Sequence, residues 1–179
     1  MHPRLTELLD FLDVTRASVL DAAALVPQQR WGVRPAPGQW CVAEVCWHLQ
    51  RVESGVAKLI RKRTTEARAA GHPAERADSG LLGTGDRFGI VDRSRRIDAP
   101  SQVTPQEVPS AEGAQRLLGE SRAMLRSAIA DADGLALGLI MHPHPVLGDI
   151  NLYEWILFVG LHEQRHLGQL REVAAASTN

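Results

Sequence analysis

Leu161-His-Glu-Gln-Arg-His-Leu-Gly-Gln-Leu170 sets two histidines, His162 and His166, four residues apart within a run whose apolar positions repeat at helical spacing. Leu152, Trp155, Ile156, Val159, Leu170 and Val173 fall on the same stripe. The run therefore reads as an amphipathic helix over about residues 151 to 175 with both imidazoles turned inward. Side chains four apart share a helix face, so this pair can hold one divalent cation. The pattern H-E-x-x-H is also that of zinc proteases, in which the Glu, here Glu163, is the general base and another ligand follows downstream. Only thirteen residues follow His166, and they contain no His, Asp or Cys and a single Glu, Glu172. The protease reading mostly fails on that count, and a third ligand has to come from upstream.

Upstream lie His2, His48, His72, His142 and His144. His48 stands out because it sits in Trp40-Cys-Val-Ala-Glu-Val-Cys-Trp-His-Leu-Gln-Arg-Val52, where Cys41, Val45, His48, Val52 and Val56 recur at spacings of three and four. That places His48 in line with an apolar stripe on a second helix. The competing reading is of hydrogen-bonded core histidines, which is the ordinary fate of a single inward His. Three imidazoles that converge in an aliphatic interior are harder to satisfy without a cation, because every ring nitrogen needs a partner. His142 and His144, in Met141-His-Pro-His-Pro145, are held extended by the prolines and suit contact with solvent or substrate better than ligation. His2 and His72 read as incidental. The four Trp residues, Trp31, Trp40, Trp47 and Trp155, suit the core or a cavity wall.

Four helical segments cover most of the chain. The first spans about residues 4 to 26, with Leu5, Leu8, Leu9, Leu12, Val19 and Ala23 at helical spacing, and stops before Pro27. The second spans about 40 to 66 and the third about 111 to 132, with Ser110 as its N-cap and Asp133-Gly134 at its end. Asp149 can cap the fourth. Strand signals are weak, Phe88-Gly-Ile-Val91 being the one β-like stretch. The polar connection over residues 67 to 109 is too long for a tight turn, and a crossover that travels a full helix length joins parallel helices. The expected fold is all-α: one domain over residues 1–179, a four-helix bundle with a long crossover between helices 2 and 3, those two helices running parallel. The crossover reads as a surface loop that can partly cover the histidines.

With 179 residues and a net charge of -1, the chain can bury a full core and carries no basic footprint for nucleic acid. Arg61-Lys-Arg63 reads as the positive end of helix 2. The first ten residues lack the long apolar run of a secretory signal, and no stretch approaches membrane-spanning length. Cys41 and Cys46 lie five apart on one helix and point to different sides, so they do not pair with each other. A soluble, cytoplasmic protein is expected, without nucleic-acid or membrane partners.

Gly38-Gln-Trp40 opening a helix, His48 within Trp47-His-Leu49, Pro145-Val-Leu-Gly148 before Glu154-Trp-Ile156, and His162-x-x-x-His166-Leu-Gly-Gln169 together resemble the DinB-like family over nearly the whole chain. The resemblance implies a four-helix bundle, often a homodimer, that binds zinc or nickel through a histidine triad. His48, His162 and His166 would be the ligands. It also implies either a metal-dependent hydrolase or a transferase or isomerase that uses a low-molecular-weight thiol. One departure is Cys41, where relatives often carry Ser or Thr; a thiol caps poorly, so the start of helix 2 leans on Glu44 as the acid of a capping box.

Three neutral imidazoles and one open position is the arrangement of a catalytic zinc site, whereas structural zinc is usually closed by four protein ligands. The expectation is a metal-dependent enzyme acting on a small electrophilic substrate, with water or a thiol as the nucleophile and Glu163 as a candidate base. Glu163 lies about 100° around the helix from His162, which also suits a carboxylate that supports the site from behind. Glu44 is a second such carboxylate, with capping as its simpler role. The alternative is a non-catalytic protein whose metal ties helix 2 to helix 4. Imidazole ligands suit zinc, nickel, copper and iron alike, so the spacing leaves the metal open.

Overall fold

The computed structural model describes residues 1–94 and 97–177. Helix α1, Pro3–Ala24, begins where His2 accepts the Arg4 N–H on its ring nitrogen and Pro3 supplies a helical φ at the first position. Leu5, Leu8, Leu12, Val19 and Ala23 form its buried stripe. Helix α2, Val42–Ala69, starts at Cys41, whose N–H donates to the Glu44 carboxylate at 2.9 Å; Arg34 pairs with the same carboxylate. Helix α3, Ala111–Ala132, is capped by Ser110, whose hydroxyl accepts the Gly113 N–H at 3.0 Å. Helix α4 spans Leu152–Ser177. The mostly helical architecture is the one expected, and among the described residues no helix is long and apolar enough to cross a membrane.

Contacts fix the helix directions. Along α2 and α3, Glu53 meets Ser121 and Arg122, Arg61 meets Ser127, and Arg68 meets the Asp131 carbonyl, so the two helices run parallel. Along α1 and α4, Arg4 lies over the Tyr153 ring and Thr15 bonds Glu163, so these are parallel too. At Gly160 a Cβ would come within 2.3 Å of the Phe11 ring, so the close approach of α1 to α4 depends on a residue without a side chain. The N-terminal part of α2 packs with the C-terminal parts of α1 and α4, which makes the two pairs mutually antiparallel.

The crossover, residues 70–110, travels the length of α4. Glu75 accepts the Tyr153 hydroxyl at the start of α4; further along, Arg93 forms a two-pronged pair with Glu172 near its end. Phe88-Gly-Ile-Val91 is not a strand. The Asp86 carboxylate accepts the N–H groups of Phe88, Ile90 and Val91, which turns the backbone on itself and removes the donors a ladder would need. A hairpin not anticipated from the sequence, β1 Met141–His144 and β2 Gly148–Asn151, precedes α4 with Met141 opposite Asn151. Its two prolines masked it, since Pro removes a ladder donor. The Arg61-Lys-Arg63 cluster lies inside α2 instead of at its end, where Arg68 bonds the last carbonyls of α3.

The apolar core is divided in two. One part gathers Leu5, Leu8 and Leu12 with Val56, Ile60, Leu125, Ile129 and Ile156. The other gathers Val19, Ala23 and Trp31 with Val45, Leu118, Leu170 and Val173. Between them lies a polar layer: Arg16, Glu53, Arg122 and Glu163, one from each helix, and the histidines.

Candidate metal centre

His48 on α2 and His162 and His166 on α4 meet at their Nε2 atoms. The His162 Nε2 lies 3.1 Å from that of His48 and 3.2 Å from that of His166, and one nitrogen from each ring falls within 4.8 Å of the others. The far edges of two rings are fixed. His48 Nδ1–H donates to the Val103 carbonyl at 2.7 Å, and His166 Nδ1–H donates to the Gln169 side-chain oxygen at 2.9 Å. An oxygen acceptor on Nδ1 settles the tautomer and leaves Nε2 with a bare lone pair aimed at the cluster. Trp40 stacks on His166 with ring centroids 6.1 Å apart, and Phe158 stacks on His162 at 5.3 Å.

Electrostatics hold the rings neutral. Burial, with His48 nearby, pulls His166 down to about 3, and Gln169 opposes this only in part. Burial and the other two histidines hold His162 well below the ordinary imidazole value, and burial lowers His48 against the opposing pull of the Val103 carbonyl. Near pH 7 the cluster therefore presents uncharged nitrogen donors, the form in which histidine ligates a metal.

The three rings border a cavity of about 760 Å³. Val52, Val56, Trp155 and Phe158 give it an apolar wall, Arg51, Arg93 and Arg165 with the carboxylates Asp98 and Glu172 give it charged edges of both signs, and Ile97 to Pro100 with Val103 bring in the crossover. The hairpin adds His142, His144, Val146 and Leu147. Arg165 is anchored by donating to the Ile90 carbonyl at 3.0 Å, which ties the crossover down beside the histidines.

Glu163 is elsewhere. It turns to the bundle interior, 1% exposed, where it accepts from the Thr15 hydroxyl at 2.6 Å, from Arg16 at 2.7 Å and from Arg122 at 3.0 Å. The rotation of one residue along a helix accounts for this, and it takes Glu163 out of the cavity lining. Glu44 caps α2 and pairs with Arg34, and does not join the histidines. His2 caps α1, and His72 donates to the Ala136 carbonyl at 3.2 Å. Trp40 and Trp155 border the cavity, whereas Trp31 is core, its Nε1 donating to the Val26 carbonyl. The Val103 carbonyl left no trace in the sequence. Gln169, three residues after His166, was placed by helix spacing to be its partner.

A parallel-pair helical bundle with a long crossover and three imidazoles facing one another across α2 and α4 defines a class of histidine-cluster bundles. The DinB superfamily model matches residues 11–170, and the chain belongs to that superfamily. It is similar to the uncharacterized protein YuaE of Bacillus subtilis (strain 168), with 28% identity over 141 residues that cover 78% of this chain and 80% of that protein. No solved structure matches it significantly.

Proposed function

We propose that His48, His162 and His166 hold one divalent cation, zinc or nickel, and that the protein is an enzyme that activates water or a low-molecular-weight thiol against a small electrophilic substrate. The observation that carries this reading is the convergence of three neutral imidazoles at their Nε2 atoms, those of His48 and His166 fixed as lone pairs by oxygen acceptors on Nδ1, beside a substrate-sized cavity. A cation held by three protein ligands with a position open acts as a Lewis acid that brings the pKa of water or a thiol toward neutrality. The chain's own part is to orient the imidazoles, to supply an apolar wall through Trp155 and Phe158 that limits water, and to bound the substrate with the hairpin and crossover.

A metal that merely ties α2 to α4 is the competing reading. Against it, the Arg16, Glu53, Arg122 and Glu163 network already links all four helices without the histidines. The test is elemental analysis of the purified protein, as isolated and after incubation with zinc or nickel, followed by turnover screens with and without small thiols. About one equivalent of metal is expected, and His48→Ala should remove it along with turnover while the fold persists. Uptake below about a tenth of an equivalent would overturn the proposal. A collapse of the melting temperature in His48→Ala would instead favour the structural metal.

A further inference from the structure

His144 belongs to the hairpin and to the same cavity as the histidine cluster. Its ring lies against Trp155 with centroids 4.7 Å apart and edge-on to Phe158 at 4.5 Å, and Phe158 stacks on His162 at 5.3 Å. Phe158 thus touches both His144 and the cluster. The other edge of His144 is held by its own turn, where Nδ1 accepts the N–H of Val146 at 3.1 Å and of Leu147 at 3.2 Å. Two N–H groups aimed at one ring nitrogen leave no place for a proton there, so the neutral ring carries its proton on Nε2.

The hairpin that presents this ring is itself anchored. Trp155 Nε1 donates to the His142 carbonyl at 3.2 Å, which fastens β1 to α4. Burial lowers His144 below its ordinary value, which keeps the ring neutral near pH 7. Its Nε2–H has no acceptor among the described residues. The neighbours Val146, Leu147, Trp155 and Phe158 offer apolar surface, so this N–H is a fixed polar group in a mostly apolar part of the wall. Such a group orients a ligand, because a molecule that displaces water there without an oxygen to meet it leaves a donor unsatisfied.

We propose that His144 is a substrate-binding residue: its Nε2–H donates to a carbonyl, carboxamide or carboxylate oxygen of the small molecule that occupies the cavity. The proposal rests on the reading of the three histidines as a metal centre, and it gives the substrate a second handle. The substrate class is then an electrophile that also carries an oxygen acceptor away from its reacting end.

His144→Asn separates the two edges of the ring. The Asn side-chain oxygen takes the place of Nδ1 and still accepts the turn N–H groups, while the Nε2 donor is lost. The full-length zinc-loaded protein would be titrated calorimetrically with alkyl hydroxamates of graded length that end in a carboxamide, and with the same chains ending in methyl. At one length the carboxamide compound should bind about 3 to 10 times more weakly to His144→Asn than to the unsubstituted protein, with the methyl compound unchanged. Equal affinities for both proteins at every length would overturn the proposal. So would loss of zinc in His144→Asn, since His144 would then be a ligand. A second, metal-independent reading is the ring tautomer, from long-range proton–nitrogen NMR at pH 7.5. The Nε2–H form is expected, and an Nδ1–H form would overturn the assignment. If the unsubstituted protein takes up no zinc, the metal reading and this proposal fall together; normal uptake with unchanged hydroxamate binding removes this proposal alone.

Discussion

His162 and Glu163 are consecutive on α4, yet their side chains end in polar clusters of opposite kinds. Glu163 joins Glu53, Arg16 and Arg122 in a network of two carboxylates and two guanidiniums, none more than 8% exposed. Spare guanidinium donors go to the Leu118 and Leu12 carbonyls, and Thr15 and Ser121 supply the carboxylates with hydroxyls. Burial would pull Arg16 down, but Glu163 and Glu53 beside it outweigh burial and hold it above its ordinary value. This network is balanced in charge and closed in hydrogen bonds, so it needs nothing from outside. The histidine cluster has three groups of one kind, their Nε2 atoms facing one another and a cavity alongside. Both lie in the same layer of the bundle. Composition of the cluster, and not burial, separates a structural element from a ligand site.

That contrast breaks most sharply at Glu163. Glu163→Ala leaves two buried guanidiniums with one carboxylate, and a buried ion pair that loses one partner costs about 3 to 5 kcal/mol. A melting temperature lower by roughly 10 °C is expected in thermal denaturation, with metal content per folded molecule retained. Retained stability would mean that the network is not the closed structural element described. The opposite pattern is expected from His162→Ala, which leaves the Arg and Glu network whole. Zinc affinity should fall by more than about 100-fold in calorimetric titration, beyond the loss expected from a supporting residue alone, with little change in melting temperature.

A smaller effect sharpens the picture at the edge of the site. Gln169→Leu removes the acceptor of the His166 Nδ1–H and frees the ring to turn or change tautomer. Zinc affinity should fall by roughly 10-fold while the fold is unaffected. An unchanged affinity would show that the tautomer is set by something other than Gln169.

How far the sequence reached follows the same division. His48, His162 and His166 were legible because helix periodicity converts spacing directly into a shared face. The parallel run of α2 and α3 was legible from the length of the 67–109 connection. Arg16, Glu53 and Arg122 were not singled out, since a charge on an amphipathic helix is ordinarily solvated and nothing local tells which one is enclosed. The surroundings of Glu163 were hidden for a related reason: a motif describes neighbours in sequence, while one helical step is enough to put a side chain in a different environment. The Val103 carbonyl belongs to an irregular segment, where no periodicity relates residue number to position. The hairpin was hidden by Pro143 and Pro145, which weaken the strand pattern even where the backbone pairs.

The mildest of the expected effects concerns pH. In the unfolded chain the three histidines titrate near 6.5. In the fold burial lowers all three, His166 to about 3. A depressed imidazole value means that the fold favours the neutral form. The stability it contributes is fully present above about pH 6.5 and is lost as pH falls from there toward the folded value, so the metal-free protein should lose stability progressively on acidification through that window. The same shift shields metal binding from mild acid. Ordinary exposed imidazoles become protonated below about 6.5 and compete with a metal, whereas burial resists protonation of these, so zinc affinity should fall by less than about tenfold between pH 7.5 and pH 6. Calorimetry in buffers of different ionisation enthalpy checks this through the protons released, expected to be few at both pH values. A tenfold or larger drop by pH 6, with matching proton release, would mean that the rings carry charge in the fold, and the cluster would then resemble the neighbouring ion network more closely than its geometry implies.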